Sequence, residues 1–116
     1  MKTLDDRALG HVAEYFRALT EPTRLRILNS LREKARNVGA LTKLLDCSQA
    51  NVSRHLATLM RHGLVERSAE GTNAFYRIAD PRVYQLCDLV CGHVAQRFAS
   101  QAQLWDSRAP VSRVKR

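Results

Sequence analysis

The sequence predicts a mainly α fold carrying one β-hairpin, an α+β class, and three observations point to it. Apolar residues recur at helical spacing in five separate segments. Two short runs of strand formers, Leu64 to Ser68 and Ala74-Phe75-Tyr76-Arg77-Ile78, flank the turn residues Glu70-Gly71-Thr72-Asn73. The two helical segments before that pair are separated only by Asp46-Cys47-Ser48.

Each element has a local reason. The first helix spans about Leu4 to Leu19, with Leu9, Val12, Ala13, Phe16 and Leu19 apolar and Asp5, Asp6 and Glu14 polar. Thr20-Glu21-Pro22-Thr23 breaks it; Thr20 is predicted as the next N-cap and Pro22 suits a first turn. The second helix, about Glu21 to Arg32, places Leu25, Ile27, Leu28 and Leu31 on its apolar side, and a polar loop, Glu33 to Asn37, follows. A third helix over Val38 to Leu45 buries Val38, Leu41, Leu44 and Leu45. Ser48 is the predicted N-cap of a fourth helix, Gln49 to His62, which buries Val52, Leu56, Leu59 and Met60 and stops at Gly63. After the hairpin, Asp80-Pro81 opens a long helix, about Arg82 to Gln103, with Val83, Leu86, Cys87, Val90, Cys91, Val94 and Phe98 on one face. Its far half has little of its own chain left to pack against, so a partner chain is its natural cover.

With 116 residues, 45% apolar and 26% charged, the chain has the size and composition of one soluble domain with a core. No stretch is apolar enough for a membrane span, and Met1-Lys2-Thr3-Leu4-Asp5-Asp6 has no apolar signal region, so a reducing cytoplasm is the expected compartment. The formal net charge is +8, and Ser107 to Arg116 supplies four cations and no acid. Residues 106–116 read as a flexible basic tail on a domain of residues 1–105. Pro22 to Leu45 adds six basic residues against one Glu. Such a balance suits a polyanion, most often nucleic acid.

Helix, short turn, helix is the order of a helix-turn-helix, and the hairpin after it adds a wing. The fourth helix is then the reading helix. Ser48, Gln49, Asn51 and Ser53 are small or polar at its start. Gln and Asn can pair with adenine, while Arg54 suits guanine or phosphate. His55 and Arg61 extend the polar face, and the wing offers Arg67, Thr72, Asn73 and Arg77 to phosphate or the minor groove. A polar helix face alone is only a solvated face. The preceding helix, the tight turn, the hairpin and the charge together favour DNA.

The residues that carry that reading resemble those of the ArsR/SmtB repressors. Glu21-Pro22-Thr23-Arg24-Leu25-Arg26-Ile27-Leu28 is similar to the start of that family's second helix. Leu44 to Leu64 is similar to its reading helix, and Phe75-Tyr76-Arg77-Ile78 to its second wing strand. The likeness covers about residues 8–100. It implies a homodimeric winged helix joined through the first and last helices, binding an imperfect palindrome in double-stranded DNA and released by an inducer. It places Ser48, Gln49, Ser53, Arg54 and His55 on DNA-reading positions. The family's inducer patterns fit less well. A Cys-Val-Cys metal motif is replaced by Asn37, Val38 and Gly39. Of a zinc set on the last helix, Asp80 and His93 match while Arg82 and Gln96 do not. The second-helix cysteine of persulfide sensors is Asn29 here.

The three cysteines are Cys47, Cys87 and Cys91. Cys87 and Cys91 share one helix face, with Cβ atoms about 6 Å apart. Two thiolates so placed chelate soft ions such as As(III) or Cd(II), and Cys47 is the one further cysteine that could complete a site. Reactive sulfur or an oxidant could also bridge them. A direct disulfide needs Cβ atoms about 3.5–4.5 Å apart and would strain the helix. Equally, all three fit as small buried hydrophobes. Two regulators therefore remain open: a repressor released by a thiol-reactive inducer, or one with structural cysteines under a protein partner or a non-thiol ligand. An organic cofactor is not expected. Enzyme chemistry has no support, because no phosphate loop, nucleophile elbow or paired carboxylates in one element is present.

Overall fold

The computed structural model describes residues 3–99. The chain divides after Ala79 into two compact units, described in turn. The first contains four helices and a small sheet. Helix α1 (Asp6–Ala18) begins where the Asp5 carboxylate accepts the Ala8 N–H at 2.8 Å. Helix α2 (Pro22–Ser30) is capped by Glu21, whose carboxylate accepts the Thr23 N–H at 2.6 Å. The predicted cap, Thr20, instead turns its hydroxyl back and donates to the Arg17 carbonyl at 2.8 Å. Closing α1 uses Thr20, and a carboxylate suits the positive end of α2 better than a hydroxyl.

The stretch expected as loop holds a two-residue strand, β1 (Arg36–Asn37), and Asn37 also caps α3 (Val38–Leu45) by accepting the Ala40 N–H at 2.8 Å. Asp46 ends α3 in the left-handed region at φ 55°. Ser48 caps α4 (Gln49–Arg61), its hydroxyl oxygen accepting the Asn51 N–H at 3.1 Å. Gly63, at φ 74°, takes the chain off α4 in a conformation that side chains other than glycine's disfavour. Strands β2 (Val65–Glu70) and β3 (Asn73–Ile78) pair antiparallel from Val65↔Ile78 to Glu70↔Asn73. The loop is Gly71-Thr72, with Gly71 at φ 65°. The sheet order is β1-β3-β2, and β1 pairs antiparallel with β3. The fold is therefore the predicted winged helix-turn-helix, with one added edge strand.

Ile27, Leu28, Leu41, Val52, Leu56 and Leu59 are fully buried and bring α2, α3 and α4 together. Each such side chain contributes about 1.5–3 kcal/mol of burial free energy. Leu44, expected inside, is 53% exposed. Leu41 and Leu45 sit one turn apart and occupy the buried stripe of this short helix, so Leu44 is rotated off it. On α1 only Ala18 is buried, while Leu9, Val12 and Phe16 are each more than a third exposed.

The second unit is built on α5 (Arg82–Ala99), on which Val83 is buried and Leu89 and Val90 are exposed. At its start the Asp80 carboxylate accepts the Arg82 N–H at 2.9 Å and the Arg82 guanidinium at 2.6 Å. The Arg82 side-chain hydrogen bond, aided by the backbone one, holds the Asp80 carboxyl below its ordinary pKa. The predicted end of this helix at Gln103 and the basic tail 106–116 lie outside the described residues. Among the described residues no helix is long and apolar enough to cross a membrane.

Candidate nucleic-acid interface

Burial of Val52, Leu56 and Leu59 fixes the rotation of α4 about its axis. The opposite side then presents Gln49, Ser53, Arg54 and Arg61 to solvent, with Asn51 half-buried beside them. Ser48 is also exposed; its oxygen is engaged in capping, and its hydroxyl hydrogen is the part able to donate outward. Arg54 Nη2 donates to Asn51 Oδ1, so two of the predicted reading side chains are held together one turn apart. The three residues Asp46, Cys47 and Ser48 form the turn into this helix.

His55 does not join this face. It is 2% exposed, and its Nδ1 lies 3.2 Å from Arg24 Nη1. Position 55 follows Val52 by three residues and precedes Leu59 by four, which places it in the apolar stripe rather than opposite it. Burial, then the nearby Arg54 and Arg24 charges, lowers its pKa, against the opposing pull of Glu21. Burial pushes the Glu21 carboxyl up, but the N–H groups of Thr23 and Arg24, the Arg24 charge and, once acid protonates it, the His55 imidazolium hold it below the ordinary value.

On the wing, Arg67 is exposed and lies across from Tyr76 in the ladder. Thr72 and Asn73 are exposed at the tip. Arg77 is exposed too, but it is paired across the strands with Glu66, at 2.9 Å from Nε and 2.8 Å from Nη2. Surface pairs of this kind are worth little to stability and are readily exchanged.

Arg24 is the organising residue that sequence patterns did not single out. Its Nε donates to the Ala18 carbonyl at 2.7 Å and its Nη2 to the Arg17 carbonyl at 3.2 Å. The motif Glu21-Pro22-Thr23-Arg24 marks a helix start, but no linear signal says that its arginine folds back onto the end of α1.

The cysteines occupy unlike environments. Cys47 is half-buried, and its S–H donates to the Leu45 carbonyl at 3.5 Å. On α5, Cys87 is half-buried and Cys91 exposed. Among the described residues no three His, Cys, Asp or Glu side chains stand close enough to hold a metal ion. Among the described residues the two α5 thiols are therefore not part of a three-ligand cluster.

Comparison with known proteins agrees with the geometry. Residues 21–67, the stretch from the α2 cap into β2, match the model of a bacterial regulatory protein family, the arsR family. The HTH-type transcriptional regulator KmtR of Mycobacterium tuberculosis is 36% identical over 72% of this chain. The chain spans 64% of KmtR's length, slightly under two thirds. The transcriptional repressor PagR of Bacillus anthracis is 34% identical over 67% of this chain and 79% of its own. Among solved structures, the homodimeric winged helix-turn-helix DNA-binding domain of Mycobacterium bovis Mb0332, described as a possible ArsR-family regulator, superposes with a TM-score of 0.71. It is 33% identical, over 83% of this chain and 95% of that one. The chain belongs to the ArsR family of bacterial regulatory proteins.

Proposed function

We propose that this protein binds double-stranded DNA as a homodimer and represses transcription from an imperfectly palindromic operator. The carrying observation is the exposed polar side of α4, held outward by the burial of Val52, Leu56 and Leu59. Kinship to a repressor and a homodimeric DNA-binding domain supports the reading. The exposed apolar residues of α1 and α5 support pairing, because a second copy would remove them from water. The dimer would set two reading helices in successive major grooves, about 34 Å apart. The test begins with selection of a binding site from random duplex DNA, followed by titration of the selected site by fluorescence anisotropy. Arg54→Ala is expected to weaken binding by about 1–3 kcal/mol, roughly 5- to 150-fold. Unchanged affinity in that variant would remove α4 from the role assigned to it.

For the inducer, the exposure of Cys91 one turn from Cys87 supports a thiol-directed release. As(III) takes three ligands, so the α5 pair would need a further group from outside one chain's described residues. Cd(II) faces the same shortfall. A reagent that bridges two thiols does not. Arsenite, Cd(II) and a persulfide donor added in parallel to the DNA complex discriminate these chemistries. Release by one of them, lost in Cys87→Ser or Cys91→Ser, assigns the sensor. If none releases the DNA, the cysteines are packing groups and control passes to a non-thiol ligand or a protein partner.

A further inference from the structure

Between α2, β1 and α3 lies a cleft of about 480 Å³, the size of a small-ligand site. Arg26, Arg32 and Arg36 line it, and among the described residues that line it Glu33 is the one carboxylate. Arg26 Nη2 donates to the Leu45 carbonyl at 2.9 Å, at the end of α3. Arg36 Nε donates to the Ser30 carbonyl at 2.7 Å, at the end of α2. Each guanidinium carries five N–H groups, so these bonds engage a minority of them. The Arg36 side chain is only 16% exposed, yet the carboxylate opposite it, Glu33, is 83% exposed and 3.3 Å away. A mostly buried cation is thus neutralised weakly and from the solvent side. Leu44, 53% exposed, supplies the cleft with an apolar wall. Arg26 and Arg36, each with N–H groups left over, an amide at Asn29 and an uncovered leucine are the complement of an anion that is apolar at its other end.

We propose that this cleft binds a small organic anion, a carboxylate or phosphate head on an apolar body, and that its occupancy changes DNA affinity. The second half rests on the DNA-binding reading above. Leu45, whose carbonyl Arg26 holds, is followed directly by the turn that positions the Ser48 cap of α4. Arg36 sits across from Tyr76 in the sheet, so one residue lining the cleft belongs to the strand paired with β3 of the wing. An anion drawing Arg26 and Arg36 toward itself competes with the Leu45 and Ser30 carbonyls that they hold, the first at the entry to the turn before α4 and the second on the residue that anchors Arg36 of β1.

The test uses the full chain, ¹⁵N-labelled, titrated with benzoate and with inorganic phosphate against sodium chloride of equal ionic strength. Saturating shifts confined to amides of residues 26–45 are expected, with benzoate binding more tightly than phosphate. Arg32→Gln and Leu44→Gln, both at exposed positions, are expected to weaken benzoate on the order of tenfold while leaving the fold intact. Saturating benzoate is then expected to change DNA affinity by about fivefold or more. Shifts that chloride reproduces, no saturation with either anion, or shifts centred on α4 and the wing would each overturn the site. So would unchanged benzoate affinity in both variants. A saturated cleft with unaltered DNA affinity overturns the coupling alone. If the chain binds no DNA while benzoate saturates the cleft, the DNA reading fails and the anion site stands.

Discussion

Arg24 Nη1 and His55 Nδ1 stand 3.2 Å apart. A guanidinium does not give up its proton in a protein, so arginine is the donor and Nδ1 of the imidazole accepts. His55 is then neutral, with its proton on Nε2. The same guanidinium donates to the Ala18 and Arg17 carbonyls at the negative end of α1. One cation therefore ties the end of α1, the start of α2 and the buried side of α4.

Removing that cation leaves the acceptors it served without their donor. Arg24→Met is expected to destabilise the protein by about 2–4 kcal/mol. Arg24→Lys is not expected to restore the loss, because an ammonium on a flexible stem cannot reach three acceptors in fixed directions. Urea unfolding of the three proteins measures this. A lysine variant as stable as the parent would show that charge alone, and not the planar fork, does the work.

The buried histidine gives stability a pH dependence of definite sign. Its pKa is lowered from an ordinary 6.5, chiefly by burial, with the Arg54 and Arg24 charges adding and Glu21 opposing. On acidification the unfolded chain therefore takes up its proton first. The contribution is full above about pH 6.5 and is lost as pH falls below it. Glu21, lowered from 4.5, contributes stability that is lost only below that value, so the two windows separate. Thermal midpoints measured from about pH 7.5 to 5.5 should fall in the parent and fall less in His55→Gln. Parallel profiles would show that the unfolding slope comes from other groups.

Most of the fold was legible because local rules and global packing agree along this chain. Ser48, Gly63 and the Gly71-Thr72 turn each act locally, and the structure uses them as the sequence pattern implies. What escaped depends on partners distant in sequence. Strand β1 is two residues long and owes its conformation to Tyr76 and Phe75, which nothing near Arg36 signals. Glu21 replaced Thr20 as a cap because Thr20 had an alternative acceptor behind it. His55, a histidine among polar residues, carries no local sign of burial; Arg24, 31 positions earlier, makes its burial tolerable. The exposed polar face of α4 was legible for the opposite reason, since periodicity alone places Gln49, Ser53 and Arg54 away from the core.

The uncovered apolar residues bear on assembly. Leu89 is 74% exposed on α5 and Phe16 46% exposed on α1. In a monomer, a charge at either position is harmless; in a dimer built on these helices it must be desolvated, at a cost of several kcal/mol. Leu89→Glu and Phe16→Glu are expected to shift the protein toward monomer in sedimentation equilibrium while preserving the helical signal in circular dichroism. If both variants sediment as the parent does, the pairing surface lies elsewhere.

The wing offers a sharper test, because one of its cations is already spoken for. Arg77 is paired with Glu66, both about half-exposed, at 2.8 Å. While that pair holds, Arg77 offers a phosphate little net charge. Glu66→Gln is expected to release it, tightening DNA binding several-fold at low salt and steepening the logarithmic salt slope by about one. The stability of the variant should change by no more than about 1 kcal/mol, as for other exposed pairs. Arg77→Gln should weaken binding modestly in the parent and cancel the gain in the Glu66→Gln background. An affinity and a salt slope unmoved by Glu66→Gln would mean that Arg77 stays clear of the phosphates, leaving Arg67, Thr72 and Asn73 as the wing's contacts.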